Sequence, residues 1–240
     1  MEPVPPFSRS KAPEPAEDGS GSGTRAGGED DPSPHAAVWD ELSAGYDRQL
    51  WLERRAVDEA LDLAQPKPDT LVLDAGTGTG AVLGALATRP NRPEIAVGID
   101  VSAAMLAKVA RLPDGWRLMR ADLEALPLDD ASFDLALAVY VLHVLDPSTR
   151  AAALCELRRV LRPGGRLVTV TPVVPRRALS RPFWQAMAGL ARAAPRRFCG
   201  LRPLDPRSEL REAGFRLERA RTVRTGYYSL CVAARAPGSP

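Results

Sequence analysis

Short apolar runs alternate with helical patterns over most of the chain. Residues 38–64 carry apolar positions at near-helical spacing, which predicts one or two helices with a break near Gly45. Residues 71–73 then predict a buried strand that ends at Asp74 and enters a glycine-rich turn. Beyond the turn, the pattern predicts a helix at 81–88, a strand at 95–99, a helix at 102–111 capped by Ser102, strands at 116–119 and 133–139, a helix at 148–161 and a strand at 166–171.

The last part of the chain follows a different pattern. Residues 208–213 predict a short helix closed by Gly214, and residues 215–223 and 227–234 predict two strands joined by a tight turn. Strands that alternate with helices form parallel sheets with helices packed on both faces. We therefore predict an α/β protein with one doubly wound, seven-stranded sheet, which is mostly parallel and ends in an antiparallel hairpin.

Composition divides the chain into a tail and a domain. Residues 1–34 are rich in Pro, Gly, Ser and acidic side chains and contain little that a core could bury, which predicts disorder. We assign residues 1–35 to a disordered tail and residues 36–236 to one folded domain. Within that domain, residues 36–66 and an arginine-rich amphipathic insert at 173–203 are expected to cover a site and to select its ligand.

Charge and cysteine content exclude several classes of protein. The net charge is only +2, and the arginines that accumulate toward the C-terminus are not interleaved with aromatic residues as in nucleic-acid-binding surfaces. The three cysteines have neither metal-ligand nor disulfide spacing. The sequence shows no apolar run long enough to cross a bilayer and no signal peptide. We expect a cytoplasmic protein without a metal site, a membrane span or a nucleic-acid partner; its oligomeric state stays open.

Polar features follow three consecutive predicted strands. Glycines at positions 76, 78 and 80 form the turn after the first strand, Asp100 ends the second, and Asp122 follows the third. Glycine permits a tight turn and lets a ligand approach the backbone closely. A carboxylate at the second strand end can bind both hydroxyls of a ribose, and one at the third can accept from an adenine amino group. Because ligands of open α/β sheets lie outside the carboxyl ends of the strands, the three features are expected to share one crevice.

The same residues belong to a series of motifs that resembles the class I S-adenosylmethionine-dependent methyltransferases. Within that family the series is most similar to the small-molecule group typified by the ubiquinone/menaquinone-biosynthesis C-methyltransferases. The motifs are D-A-G-T-G-T-G at 74–80, G-I-D-V-S at 98–102, A-D-L-E-A-L-P at 121–127, V-L-H-V-L-D at 141–146 and L-R-R-V-L-R-P-G-G at 157–165. The resemblance implies a Rossmann-like fold, S-adenosyl-L-methionine as the cofactor and a small molecule as the methyl acceptor.

The resemblance also implies a role for individual residues. Those that it places at the cofactor are Asp74, Gly76, Thr77, Gly78, Gly80, Asp100, Val101, Asp122, Leu123, Val139 and a covering tyrosine, Tyr46. Asp74 would hold the turn or reach the amino group of the cofactor, directly or through water, and Asp100 would bind the ribose. Asp122 and Leu123 would flank the adenine, and Val139 with the residue after it would face the sulfonium.

His143 is the candidate catalytic residue, because it follows the fourth strand and is the only histidine of the predicted domain. The other histidine of the chain, His35, belongs to the predicted tail. It would act as a general base for a weakly acidic acceptor; the alternative is a histidine with only a local role in its loop. Two other functions stay open: a catalytically idle family member that serves as a binding module, and an NAD(P)-dependent oxidoreductase. The turn has the form G-x-G-x-G, whereas the oxidoreductase would need G-x-G-x-x-G.

Overall fold

The computed structural model describes residues 39–41, 50–174, 186, 189, 202–224 and 227–238. Its strands are β1 (Leu71–Ala75), β2 (Ile95–Asp100), β3 (Arg117–Arg120), β4 (Phe133–Val139), β5 (Leu161–Pro172), β6 (Arg216–Arg224) and β7 (Tyr228–Arg235). Its helices include α1 (Leu50–Ala64), α2 (Ala81–Ala87), α3 (Ala103–Leu106), α4 (Pro147–Val160) and α5 (Arg207–Glu212), and residues 39–41 are helical as well. The predicted tail at 1–35, the covering Tyr46 and most of the 173–203 insert lie outside the described residues.

The strands of the described residues form one seven-stranded sheet in the order β3-β2-β1-β4-β5-β7-β6. The first five of these pair in parallel, whereas β7 runs antiparallel between β5 and β6. The predicted fold, a doubly wound and mostly parallel sheet with a C-terminal antiparallel hairpin, is confirmed. Successive strands are added on one side of β1 up to β3 and on its other side from β4 onward. This reversal opens a crevice at the carboxyl ends of β1 and β4.

The two faces of the sheet bury separate apolar clusters, because side chains alternate along each strand. In β1, Leu73 faces the cluster that α4 and α5 cover, whereas Val72 faces the cluster that α1 and α2 cover. Both side chains are fully buried, and the prediction of helices on both faces is confirmed. Among the described residues, no helix has both the length and the apolar character that crossing a bilayer requires.

The helix after β2 is shorter than predicted. Ser102 caps it as expected, since its hydroxyl accepts a hydrogen bond from Met105 N at 3.1 Å. The helix ends at Leu106 rather than near residue 111, and Val109, just beyond its end, lies against the glycine turn instead of continuing the helix. A Cβ atom added to Gly80, which precedes α2, would lie 2.7 Å from Val109 Cγ1. The residues just after α3 therefore pack against the glycine turn, and the absence of a side chain at Gly80 leaves room for this contact.

The strand β5 begins at residue 161 rather than at the predicted 166, directly after α4. Leu161 pairs with Phe133, and the next pair joins Arg166 to Leu135, so residues 162–165 form an irregularity within the strand. The residues that were predicted to end the helix thus also form the beginning of β5. Gly164 accommodates the irregularity with a φ of +74°, a conformation that glycine adopts without steric cost.

Candidate functional site

The carboxyl ends of the four parallel strands β1 to β4 surround one crevice at the point where the strand order reverses. The structure brings together six of the residues predicted from sequence in its lining: Gly76, Gly78, Asp100, Val101, Asp122 and Leu123. Apolar side chains that follow β4, namely Val141, Val144 and Leu145, line the same crevice. Bare backbone, two carboxylates and an apolar wall therefore meet in one place.

The glycine turn has a conformation and neighbours that exclude side chains. Gly76 and Gly78 have φ angles of +73° and +55°, a region that glycine tolerates far better than other residues. A Cβ atom added to Gly76 would lie 2.5 Å from Val141 Cγ2. The N–H groups of Gly76 and Thr77 both donate to Ile99 O at 2.8 Å, which ties the turn to the end of β2. The turn can thus bring its main chain close to a ligand.

Asp100 ends β2 with its carboxylate held by two backbone groups. Its Oδ2 accepts a hydrogen bond from Gly78 N at 2.8 Å, and its Oδ1 accepts one from Ser102 N at 2.9 Å. Burial raises the pKa of Asp100, and hydrogen bonds from backbone N–H groups oppose that rise. A carboxylate offers about four lone-pair positions, so roughly two remain for a ligand. This arrangement suits a pair of neighbouring hydroxyl groups such as those of a ribose.

Asp74 is fully buried at the end of β1. Its Oδ2 accepts a hydrogen bond from the hydroxyl of Thr77 at 2.6 Å, so these two side chains brace the glycine turn. Its Oδ1 has no hydrogen-bond partner among the described residues. Burial raises the pKa of Asp74 to about 7, although the bond from Thr77 lowers it. An acid with a spare buried acceptor is suited to receive a cationic donor.

Asp122 follows β3 and lines the crevice beside Leu123. Its Oδ1 accepts a hydrogen bond from Glu124 N at 3.0 Å, a local turn that orients the side chain. Leu123 is buried, and its side chain belongs to the apolar cluster under α4. The pair thus offers an acceptor next to an apolar surface, the combination that the edge and face of an adenine require.

The two residues at the end of β4 have different environments. Val139 packs in the apolar cluster under α1 and α2, whereas Tyr140 lines the crevice. Tyr140 has a φ of +56°, which is rare for a residue with a side chain and costs about 1–3 kcal/mol. Neighbouring strands hold this conformation, since Tyr140 N donates to Val170 O at 2.9 Å and the phenol is 2.6 Å from Ser229 Oγ. Strain of this kind is concentrated at functional sites.

His143 is buried, and its ring lies edge-on to that of Tyr140 with centroids 6.2 Å apart. Its Nδ1 has no hydrogen-bond partner among the described residues. Burial lowers the pKa of His143 to about 3, and the charges of Arg202 and Arg150 lower it further. The ring is therefore neutral at physiological pH and a weaker base than an exposed histidine.

Trp39 and Asp40 belong to the site and were not predicted from sequence. Trp39 lines the crevice, and Asp40 Oδ1 accepts hydrogen bonds from the Ser102 hydroxyl and from Ala104 N. No local pattern signals this pairing, because the partners are more than sixty residues apart in sequence. The predicted cover from this part of the chain, Tyr46, lies outside the described residues.

Comparison with known proteins places the chain in a family. Residues 73–169 match the family described as a methyltransferase domain. The malonyl-[acyl-carrier protein] O-methyltransferase of Methylococcus capsulatus is 34% identical over 196 residues, which cover 78% of this chain and 68% of that protein. The ubiquinone/menaquinone biosynthesis C-methyltransferase of Syntrophotalea carbinolica is 35% identical over 169 residues, which cover 66% of this chain and 67% of that protein. The chain spans only 40%, 59% and 51% of the length of three other curated relatives.

The fold is similar to solved methyltransferase structures. The 1,6-didemethyltoxoflavin-N1-methyltransferase of Burkholderia thailandensis has a TM-score of 0.62 and 19% identity, over 89% of this chain and 93% of that one. At this identity the likeness shows the fold alone, and the sequence relatives supply the family. The chain belongs to the class I S-adenosylmethionine-dependent methyltransferases, among which it resembles the ubiquinone/menaquinone C-methyltransferase group.

Proposed function

We propose that the protein transfers the methyl group of S-adenosylmethionine to an O, C or N atom of a small molecule by in-line displacement. The observation that carries the proposal is the carboxylate of Asp100, which Gly78 N and Ser102 N hold beside the glycine turn with acceptor positions to spare. The acceptor atom is left open because it differs among similar proteins. Their names specify an O-methyltransferase, a C-methyltransferase and an N1-methyltransferase.

The residues of the crevice fit this cofactor. Asp100 would accept from the ribose hydroxyls, and the unpaired Oδ1 of Asp74 would accept from the amino group of the methionine part, directly or through water. Gly76 and Gly78 leave room for that part of the cofactor, with Thr77 bracing the turn from its buried side. The remaining predicted contacts are assigned to the adenine (Val101, Asp122, Leu123), to support from the core (Gly80, Val139) and to a cover (Tyr46).

When bound, S-adenosylmethionine supplies a methyl group that its cationic sulfonium already activates. The contribution of the protein is then to hold the acceptor in line and to keep water away. We assign the positioning of the acceptor to Tyr140, whose strained backbone is held by β5 and whose phenol is held by Ser229 of β7. The exclusion of water falls to the apolar wall of Val141, Val144 and Leu145.

A general base is needed only for an acceptor that is weakly acidic, and His143 is the candidate. Its buried, unpaired Nδ1 can accept a proton, but its low pKa makes it a modest base. A His143→Ala variant should lose turnover on such an acceptor while still binding the cofactor. Unchanged turnover would leave His143 with only a local role in its loop.

Calorimetry with the purified protein tests the proposal. The wild type should bind S-adenosylmethionine in the micromolar range and ignore NAD. Asp100→Ala should weaken binding by at least about 100-fold, because it removes two charge-assisted hydrogen bonds worth roughly 1.5–3 kcal/mol each. Asp114→Asn, which neutralises an exposed acid nearby in sequence, is the matched control and should bind normally. A wild type that ignores millimolar S-adenosylmethionine, or that prefers NAD, would contradict the proposal.

A screen of small-molecule acceptors, read by release of S-adenosylhomocysteine, separates an active enzyme from an idle binding module. We propose that residues 36–236 form the working domain behind the tail at 1–35, with residues 36–66 and 173–203 as its covers. We also propose a cytoplasmic location, because the spacing of the three cysteines suggests no disulfide framework.

A further inference from the structure

Ser102 connects two acidic side chains that come from distant parts of the chain. Its N–H donates to Asp100 Oδ1 at 2.9 Å, and its hydroxyl donates to Asp40 Oδ1 while accepting from Met105 N at 3.1 Å. Asp40 also accepts from Ala104 N at 3.2 Å. Asp40 therefore takes part in the cap of α3 together with the fully buried Ser102.

This arrangement places Asp40 near Asp100 at an electrostatic cost. The charge of Asp40 is one of the causes that raise the pKa of Asp100, after burial. Two like charges held near each other destabilise the folded chain unless hydrogen bonds offset the repulsion. The hydrogen bonds that Asp40 accepts from Ser102 and Ala104 offset this cost and hold the segment that contains Asp40 against α3.

The neighbour is Trp39, which lines the crevice next to Asp40 in the helical segment 39–41. Adjacent residues of a helix point in fixed relative directions, about 100° apart. Fixing Asp40 on α3 therefore also fixes the direction in which the Cα–Cβ bond of Trp39 leaves the helix. Asp100 and Met105, which the same hydrogen bonds orient, line the crevice as well.

We propose that Asp40 is a positioning residue for the cofactor: by bonding to Ser102 and Ala104 it holds Trp39 as a wall of the crevice beside Asp100. The inference rests on the proposed function, because it takes S-adenosylmethionine as the ligand of the crevice. An indole offers a large flat apolar surface with two rotatable bonds, so once it is held it covers a ligand at small entropic cost.

Titration of S-adenosylhomocysteine into the full-length protein by calorimetry tests the inference. Asp40→Ala should weaken binding by about tenfold, because two modest hydrogen bonds are lost. Asp40→Asn keeps an acceptor for both donors and removes the charge beside Asp100, so it should bind within about threefold of the wild type. Glu41→Gln removes an exposed charge from the same segment and serves as the matched control, with unchanged affinity expected.

A double-mutant cycle with Trp39→Ala distinguishes positioning from a general effect on the fold. Trp39→Ala alone should weaken binding by at least about tenfold. Because Asp40 acts through Trp39, adding Asp40→Ala to that variant should cost little more. Thermal melting without ligand, compared across the variants, accounts for any loss of folded protein.

Several results would overturn the inference. Normal binding by Asp40→Ala, or fully additive losses in the double variant, would show that Asp40 does not act through Trp39. An Asp40→Asn variant as weak as Asp40→Ala would point to the charge rather than to the hydrogen bonds. Failure of the proposed function gives a different result, since the wild type itself would then bind no S-adenosylhomocysteine.

Discussion

Gly76 and Val141 are in such close contact that a Cβ atom added to the glycine would lie 2.5 Å from Val141 Cγ2. One residue belongs to the turn after β1 and the other follows β4, so the contact joins the two strand ends between which the crevice opens. Gly76 also needs its φ of +73°, and both requirements exclude any other residue. A side chain at position 76 would therefore force apart the two strand ends that border the crevice.

Gly76→Ala should destabilise the protein and abolish cofactor binding. The left-handed backbone costs about 1–3 kcal/mol and the overpacking a similar amount, so the free energy of unfolding should fall by about 2–6 kcal/mol. Denaturant titration and calorimetry measure the two effects. Adding Val141→Ala to this variant should restore only the part of the stability that is lost through the clash with Val141.

Gly84→Ala is the control for this prediction. Gly84 lies within α2, is exposed, and has open space where a Cβ would be placed. Alanine favours a helix over glycine by about 1 kcal/mol, so this variant should be slightly more stable and should bind normally. A Gly76→Ala protein as stable as the wild type would show that the turn can relax.

Much of this site could be predicted from sequence, because its main features follow local rules. The run before Asp74, the glycines of the turn and the cap at Ser102 each depend on neighbours within a few residues. The convergence of Asp100 and Asp122 then follows from parallel strands ending at one edge of the sheet.

The features that were not predicted depend on distant partners. The bonds of Asp40 to Ser102 and Ala104 join residues more than sixty positions apart. No local rule gives a tyrosine a φ of +56°, and Tyr140 adopts it because groups on β5 and β7 hold its backbone and phenol. The early end of α3 likewise leaves Val109 packed on Gly80, a contact that no local rule gives.

Asp74→Asn should make the ligand-free protein more stable at high pH. Burial raises the pKa of Asp74 from 3.8 to about 7, so the wild type is favoured at low pH and loses stability as the carboxyl ionises. The advantage of the variant should therefore grow between pH 4 and pH 8 and reach up to about 4 kcal/mol. Urea titrations at both pH values measure it. Asp114→Asn, at an exposed acid, should show no such trend.

His143→Leu should gain stability relative to the wild type as the pH falls, which is the opposite of the trend expected for Asp74→Asn. Burial lowers the pKa of His143 to about 3, so the wild type keeps its stability above the unfolded value of 6.5 and loses it as the pH falls toward 3. Between pH 7 and pH 5 this group alone should cost the wild type about 2 kcal/mol, a loss that the variant lacks. If the free energy of unfolding changed with pH by the same amount in both proteins, His143 would have a proton-accepting partner that stabilises its charged form.

Arg150→Ala should weaken both the fold and the cofactor site. Arg150 is 8% exposed; its Nε and Nη2 donate to Glu209 at 2.7 and 2.8 Å, and its Nη1 donates to Leu145 O at 2.8 Å. Because Leu145 lines the crevice, this one guanidinium ties α5 to the apolar wall of the crevice. Because the Glu209 side chain is 30% exposed, water compensates for part of the lost pair, and the free energy of unfolding should fall by about 1–3 kcal/mol. Arg150→Lys should be intermediate since it cannot make the two-point contact. Arg211→Ala, an exposed arginine of α5, should change the free energy of unfolding by less than about 0.5 kcal/mol. Denaturant titration with and without S-adenosylhomocysteine measures both effects, and an Arg150→Ala protein with normal ligand affinity would show that the wall does not depend on this contact.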